Sequence, residues 1–157
     1  MADESVVIEH PNRRKAASQL ARLIVVLLLL ASACLTAVVT IGGWDTLEGA
    51  KPIQIAFILI YLVLAFFVAR WSRGVLPLAT ALAIILGIFA VVAAPAWFDR
   101  DRTGFHDPGL SSDLLGLICV LIAALQAALI IASLQAFRQA WNVEVERAVP
   151  EREPVTA

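Results

Sequence analysis

Apolar residues gather in four uninterrupted blocks, and the charged residues lie between them. The blocks are 23–41, 53–69, 75–94 and 114–137, and none contains Asp, Glu, Lys, Arg or His. About 20 apolar residues suffice for a helix to cross the ~30 Å hydrocarbon layer of a membrane. Each block is expected to be a helix, because backbone groups in lipid must be hydrogen-bonded internally and period-two alternation is absent. The pattern predicts an all-α integral membrane protein, with four transmembrane helices in an up-down bundle.

Composition agrees with this class. Of the 157 residues 61% are hydrophobic and 16% are charged, and the net charge is −1. A soluble domain is usually about half apolar and a quarter charged. The balance excludes a soluble domain, a disulfide-rich module and a nucleic-acid binder that needs a strong basic field. Outside the spans we predict a mobile basic amino-terminal segment, 1–22, and a tail, 138–157, that is disordered toward its end.

The basic residues predict an orientation. Nine of the twelve lie on the side of both termini and of the link between spans two and three: Arg13, Arg14, Lys15, Arg22, Arg70, Arg73, Arg138, Arg147 and Arg152. The opposite side carries Lys51, Arg100 and Arg102. The positive-inside rule therefore predicts that both termini lie in the cytoplasm. We expect the membrane to be the plasma membrane.

The four tryptophans support these boundaries. Each lies just beyond the carboxyl end of one span, at Trp44, Trp71, Trp97 and Trp141. An indole has an apolar body and one N–H donor, so it favours the headgroup level of the bilayer. We expect all four to be interfacial anchors.

The first span has an alternative interpretation. An Arg-rich flank, an apolar run and Ala31-Ser32-Ala33-Cys34 resemble a signal peptide with a small-residue cleavage site. The apolar stretch nevertheless continues through 35–41, where a processed protein usually turns polar. Its length favours a retained membrane helix.

Neutral polar residues recur on one face of the outer spans. Ser32, Thr36 and Thr40 repeat every four residues in the first span, and Cys119, Gln126 and Ser133 every seven in the fourth. An unpaired amide at mid-span is unfavourable, so Gln126 is expected to face another helix. Such residues commonly hold helices together in lipid. The alternative is a polar-lined passage for a small solute or ion.

Small residues form two further ridges. They are Ala79, Ala83 and Gly87 in the third span, and Ala124, Ala128, Ala132 and Ala136 in the fourth. Small side chains let helix backbones approach closely, and the van der Waals contact that this allows is the main force between helices in lipid. Spans three and four are therefore expected to supply the main contact surface, within the bundle or between protomers, and Pro95 is expected to end the third helix.

The long outer loop contains a partial calcium motif. Asp99, Asp101, Thr103 and Asp107 follow the ligand order of a calcium loop, but the closing position holds Leu110 in place of a carboxylate. A solvated turn is the simpler interpretation. No cofactor or metal is otherwise expected.

Residues 141–146 alternate between apolar and acidic or amide side chains, like a short strand. Such a segment beside the membrane could extend the sheet of a soluble partner, or it could be an interfacial anchor. The amino-terminal basic cluster could rest on anionic lipid.

The spans contain no charged residue, and the loops contain no convincing nucleophile–base pair, so the sequence does not indicate catalysis. The sequence therefore favours a non-enzyme that serves as an accessory or scaffold subunit beside another membrane protein or a second copy of itself. The alternative is a small oligomeric channel or facilitator lined by the polar faces of spans one and four.

The basic-residue asymmetry predicts the outcome of reporter fusions. A fusion at residue 72 and one at the carboxyl terminus should be active in the cytoplasm, and a fusion near residue 105 should be active outside. An external carboxyl terminus would overturn the four-span assignment.

Overall fold

A computed structural model describes residues 6–47, 49–100 and 109–148. Four long helices dominate it, and each is long and apolar enough to cross a membrane. Two short strands, a four-residue helix and two 3-10 turns (Trp44–Thr46 and Arg73–Val75) lie outside them. In chain order the strands and α-helices are β1 (Val6–Glu9), α1 (Pro11–Arg14), α2 (Ala16–Gly42), α3 (Lys51–Ala69), α4 (Leu76–Phe98), α5 (Ser112–Arg138) and β2 (Val145–Ala148). The four long helices are the four spans expected from the sequence.

Two helix boundaries differ from expectation. Helix α2 begins at Ala16 and so includes Arg22, whose guanidinium donates to the carbonyl oxygen of Ala69 at 3.0 Å. Helix α4 continues through Pro95 to Phe98, so the prediction that this proline ends the helix is wrong. Its missing N–H removes one backbone bond only, and the carbonyl oxygen of Pro95 still accepts from the N–H of Asp99 at 3.0 Å.

The helices form an open bundle. Helix α2 packs against α3 and α5, and α5 packs against α4. Both ends of the described chain lie at one end of the bundle, here called the termini end. At the opposite end, the loop end, the N–H of Leu110 donates to the carbonyl oxygen of Gly42 at 3.1 Å.

The inward face of α5 follows a regular spacing of three and four residues. Its buried members include Leu115, Cys119, Ile122, Gln126, Leu129, Ser133 and Ala136. This 3.5-residue spacing is the one by which helices interlock side chains in left-handed bundles. The seven-residue repeat noted in the sequence is therefore the buried face of the helix.

The two small-residue ridges have different environments. Ala79 and Ala83 are fully buried, and a Cβ atom on Gly87 would lie 3.3 Å from the Cβ of Gln126. The α5 ridge is divided: Ala124 and Ala128 are exposed, Ala132 is half-buried and Ala136 is fully buried, so only its carboxyl-terminal part packs inside the bundle. Ala124 and Ala128 each lie two residues from Gln126, about 200° around the helix, so burying the amide turns both outward.

The two strands form an antiparallel ribbon outside the spans. Val6 pairs with Ala148 and Glu9 with Val145. Of the segment 141–146 predicted to be strand-like, only Val145 and Glu146 belong to β2, and they pair with the amino-terminal segment of the same chain.

The close approach of α4 and α5 predicts the effect of Gly87→Leu. A branched side chain at this position would meet Gln126, and overpacking of this kind destabilises a core by about 1–3 kcal/mol. Ile85→Leu, on the exposed side of the same helix, should be close to neutral. The measurement is thermal unfolding of both variants in one detergent; equal midpoints would contradict the packing.

Candidate functional site

The centre of the bundle holds a hydrogen-bonded network around Gln126, which is 1% exposed. The hydroxyl of Tyr61 donates to Gln126 Oε1 at 2.8 Å. Gln126 Nε2 donates to Ser32 Oγ at 3.0 Å and to the carbonyl oxygen of Ile122 at 3.3 Å. Helices α2, α3 and α5 therefore meet at one amide.

This geometry uses both amide protons and one oxygen lone pair of Gln126, which fixes the orientation of the amide. Leaving these groups unpaired in an apolar interior would be unfavourable, so the arrangement of the three helices is coupled to the side chain. Sequence reasoning selected Ser32 and Gln126 but missed Tyr61. The available signal was that Tyr61 is the only tyrosine in the chain and lies at mid-span.

A second polar pair lies nearer the loop end. Thr40 Oγ1 is 2.7 Å from the carbonyl oxygen of Thr36 and 2.6 Å from Gln54 Oε1. Its single proton is shared between these two acceptors. Gln54 was not selected from the sequence, although it is the neutral polar residue of the first turn of α3. Two other selected residues, Thr36 and Ser133, are buried with hydroxyl oxygens that lack a hydrogen-bond partner among the described residues.

The tryptophans occupy two kinds of position. Trp44 is 46% exposed, as an interfacial anchor should be. Trp97 and Trp141 are buried, so the prediction that all four are interfacial anchors is wrong. Trp97 hydrogen-bonds to the thiol of Cys119, which gives its N–H a partner inside the protein.

At the termini end, Trp71 and Trp141 form an edge-to-face pair with ring centroids 5.3 Å apart. The guanidinium of Arg22 lies 4.3 Å from the Trp71 ring centroid, within the range of a cation–π contact. We call Arg22, Trp71 and Trp141 the tryptophan cap. It joins the start of α2 to the ends of α3 and α5.

The backbone around the cap is strained. Trp71 has φ 65° and Ala140 has φ 48°, in the left-handed region that favours glycine. The N–H of Ser72 donates to the carbonyl oxygen of Phe67 at 3.0 Å, and that of Trp71 donates to the carbonyl oxygen of Val68 at 3.0 Å. This is a Schellman ending of α3, with tryptophan where glycine is usual.

Side chains from α1 and from the link between α3 and α4 close the cap by donating to backbone carbonyl oxygens at and beyond the end of α5. Asn12 Nδ2 donates to the carbonyl oxygen of Ala140 at 3.0 Å, and Arg13 Nε to that of Trp141 at 3.1 Å. Arg73, from the link between α3 and α4, donates to the carbonyl oxygen of Phe137 at 2.8 Å. Three separate stretches of chain are thus held together outside the spans.

The partial calcium motif is only in part within the described chain. Asp99 follows the end of α4, and Asp101, Thr103 and Asp107 lie outside the described residues. Among the residues that are described, no group of three or more His, Cys, Asp or Glu side chains is placed to hold a metal ion.

Comparison with known proteins finds no matching family model, no matching curated protein and no matching solved structure.

The amide network predicts the effect of Gln126→Leu. Leucine is nearly isosteric with glutamine but cannot hydrogen-bond to the hydroxyls of Tyr61 and Ser32. Each interhelical hydrogen bond lost in lipid should lower the stability of the bundle by about 0.6–2 kcal/mol. Gln135→Leu is the matched control, because Gln135 is exposed on the same helix. Thermal unfolding in detergent measures both. An unchanged melting midpoint for Gln126→Leu would contradict a structural role for the network.

Proposed function

We propose that this chain is a non-catalytic multi-pass protein of the plasma membrane that acts as an accessory or scaffold subunit of a membrane assembly. Its amino and carboxyl termini face the cytoplasm. The observation that carries the proposal is the tryptophan cap, which holds α1, the link that contains Arg73 and the segment after α5 in one arrangement at the termini end.

Strain supports a role for the cap. Non-glycine residues in the left-handed region cost roughly 1–3 kcal/mol each and persist where their surroundings hold them. Here Trp71 and Ala140 are held by aromatic packing and by hydrogen bonds from α1. Such positions cluster at functional sites, among them ligand clamps and switch regions. A fixed surface beside the membrane is what a scaffold requires.

The β1–β2 ribbon is the feature through which the cap would engage a partner. Each strand of a two-stranded ribbon has one edge that faces away from the other strand, and such edges favour strand addition. Ile8 and Val145 are exposed, and so is the carboxylate of Glu146. The partner that fits is an extended, basic cytoplasmic segment of another membrane protein.

The channel alternative receives less support. The polar groups proposed to line it, Ser32 and Gln126, face each other and Tyr61 inside a single bundle. Ser133 is likewise buried. Oligomers built from the outer surfaces would place apolar side chains at their interfaces and leave the network within each protomer.

The test is purification of the full chain from its native membranes in mild detergent, followed by native mass spectrometry. The expected result is a complex of fixed stoichiometry that Ile8→Pro weakens at least about ten-fold, because proline removes a backbone N–H and breaks strand pairing. Ile8→Thr, which keeps the strand, is the control and should retain the partner.

The bundle itself should melt normally in both variants, since the ribbon lies outside the spans. The channel alternative is tested by measuring solute or ion flux across liposomes that contain the purified chain. Flux that Gln126→Leu abolishes, in protein that still folds, would overturn the accessory role in favour of the channel.

A further inference from the structure

A cavity of about 280 Å³ lies in the loop-end half of the bundle, in the gap between α3 and α4. Its lining is almost entirely apolar and includes Phe57, Leu86, Ala90, Ala93 and Ile122. Ile53 on α3 and Phe89 on α4 also line it and are 51% and 48% exposed. These two side chains mark a mouth that opens sideways, on the faces the helices would turn to lipid.

The cavity follows from how the helices pair. Helix α3 packs on α2, and α4 packs on α5, so the two pairs separate between α3 and α4. Phe57 and Phe89 bridge this gap with ring centroids 6.2 Å apart. Ala90 and Ala93 supply methyl groups where larger side chains would fill the space. The volume is close to the lower end of small-molecule sites, about 300 Å³.

Two polar residues are among those that line this apolar space. Thr36 lines it, is 4% exposed, and has a hydroxyl oxygen without a hydrogen-bond partner among the described residues. Gln54 also lines it, and its Oε1 is held by Thr40 at 2.6 Å. With the oxygen engaged, the amide nitrogen of Gln54 is left to donate to a ligand.

We propose that this cavity binds one acyl chain of a membrane glycerolipid, with the ester carbonyl of that chain accepting a hydrogen bond from Gln54. The sideways mouth admits a ligand from the bilayer. Gln54 lies in the first turn of α3, after Lys51, so the amide sits near the end of the span, at the depth of lipid ester groups. The apolar lining receives the methylene groups, and their burial stabilises the complex.

The site is independent of the tryptophan cap, which lies at the other end of the bundle. Its loss would leave the proposed accessory role intact, and the reverse also holds. A lipid held in this gap would fill the space that α3 and α4 leave open.

The experiment uses the full chain in nanodiscs that contain a glycerolipid with a photoreactive diazirine in its acyl chain. After illumination, the labelled peptides are mapped by mass spectrometry. Wild type should label at cavity residues of α3 and α4. Ala93→Phe fills the cavity and should lower this labelling at least about ten-fold. Ala96→Phe is the matched control on the exposed surface one turn further along and should change nothing.

The hydrogen bond is tested separately with Gln54→Leu. Removing one polar contact in lipid should weaken labelling by an ester lipid by about three- to thirty-fold, the equivalent of ~0.6–2 kcal/mol. The corresponding ether lipid has no carbonyl, so its labelling should not respond to Gln54→Leu. Thermal unfolding establishes that each variant is folded, and Gln54→Leu carries the test if Ala93→Phe does not fold.

Three results would overturn the proposal. The first is labelling spread evenly over the lipid-facing surface and unaffected by Ala93→Phe. The second is an equal response of the ester and ether lipids to Gln54→Leu. The third is a cavity occupied by a lipophilic molecule other than a glycerolipid, identified by mass spectrometry of the extracted ligand.

Discussion

The bundle depends on one buried amide. Gln126 has two donor protons and an acceptor oxygen in a region where water and lipid offer no replacement, so its partners must come from the protein. Ser32, Tyr61 and the carbonyl oxygen of Ile122 supply them. Because these groups belong to three helices, satisfying one side chain sets the mutual rotation of α2, α3 and α5. Without a hydrophobic driving force between helices in lipid, such a constraint counts for more than it would in a soluble core.

The remaining packing follows from that rotation. With Gln126 turned inward, α5 presents Gly116, Cys119 and Ser133 to its neighbours, and α4 approaches through its alanines and Gly87. Helix α3 packs along α2, is joined to α5 by the hydrogen bond from Tyr61 to Gln126, and has little contact with α4. The lipid-facing cavity is therefore a consequence of the same network that closes the middle of the bundle. A pocket at this place needs no separate structural element.

The termini end is stabilised by different interactions, because it lies outside the apolar spans. Two non-glycine residues there have left-handed backbone conformations, and an aromatic pair and a set of hydrogen bonds to backbone carbonyl oxygens offset their strain. The partners of these bonds are far apart in sequence, as with Asn12 and Ala140. Their effect is to hold the chain ends together beside the spans. Under the proposed accessory role, the cap is the part that would hold a partner in a fixed geometry.

The number, type and approximate extent of the helices were determined by the sequence alone, because membrane thickness and internal backbone bonding act on each segment separately. The face that carries Cys119, Gln126 and Ser133 was also predictable, since helical periodicity needs no knowledge of neighbours. Only the tertiary structure decided which groups hydrogen-bond to the Gln126 amide. It also decided that Ala124 and Ala128 turn outward and that Trp141 is buried. These outcomes depend on which helices become adjacent and how they rotate. A repeat of small residues indicates that a helix can approach another closely, but it does not indicate which helix that is. The pairing of β1 with β2 and the gap beside Gln54 are non-local in the same way: each exists because residues distant in sequence meet, or fail to meet, once the bundle has formed.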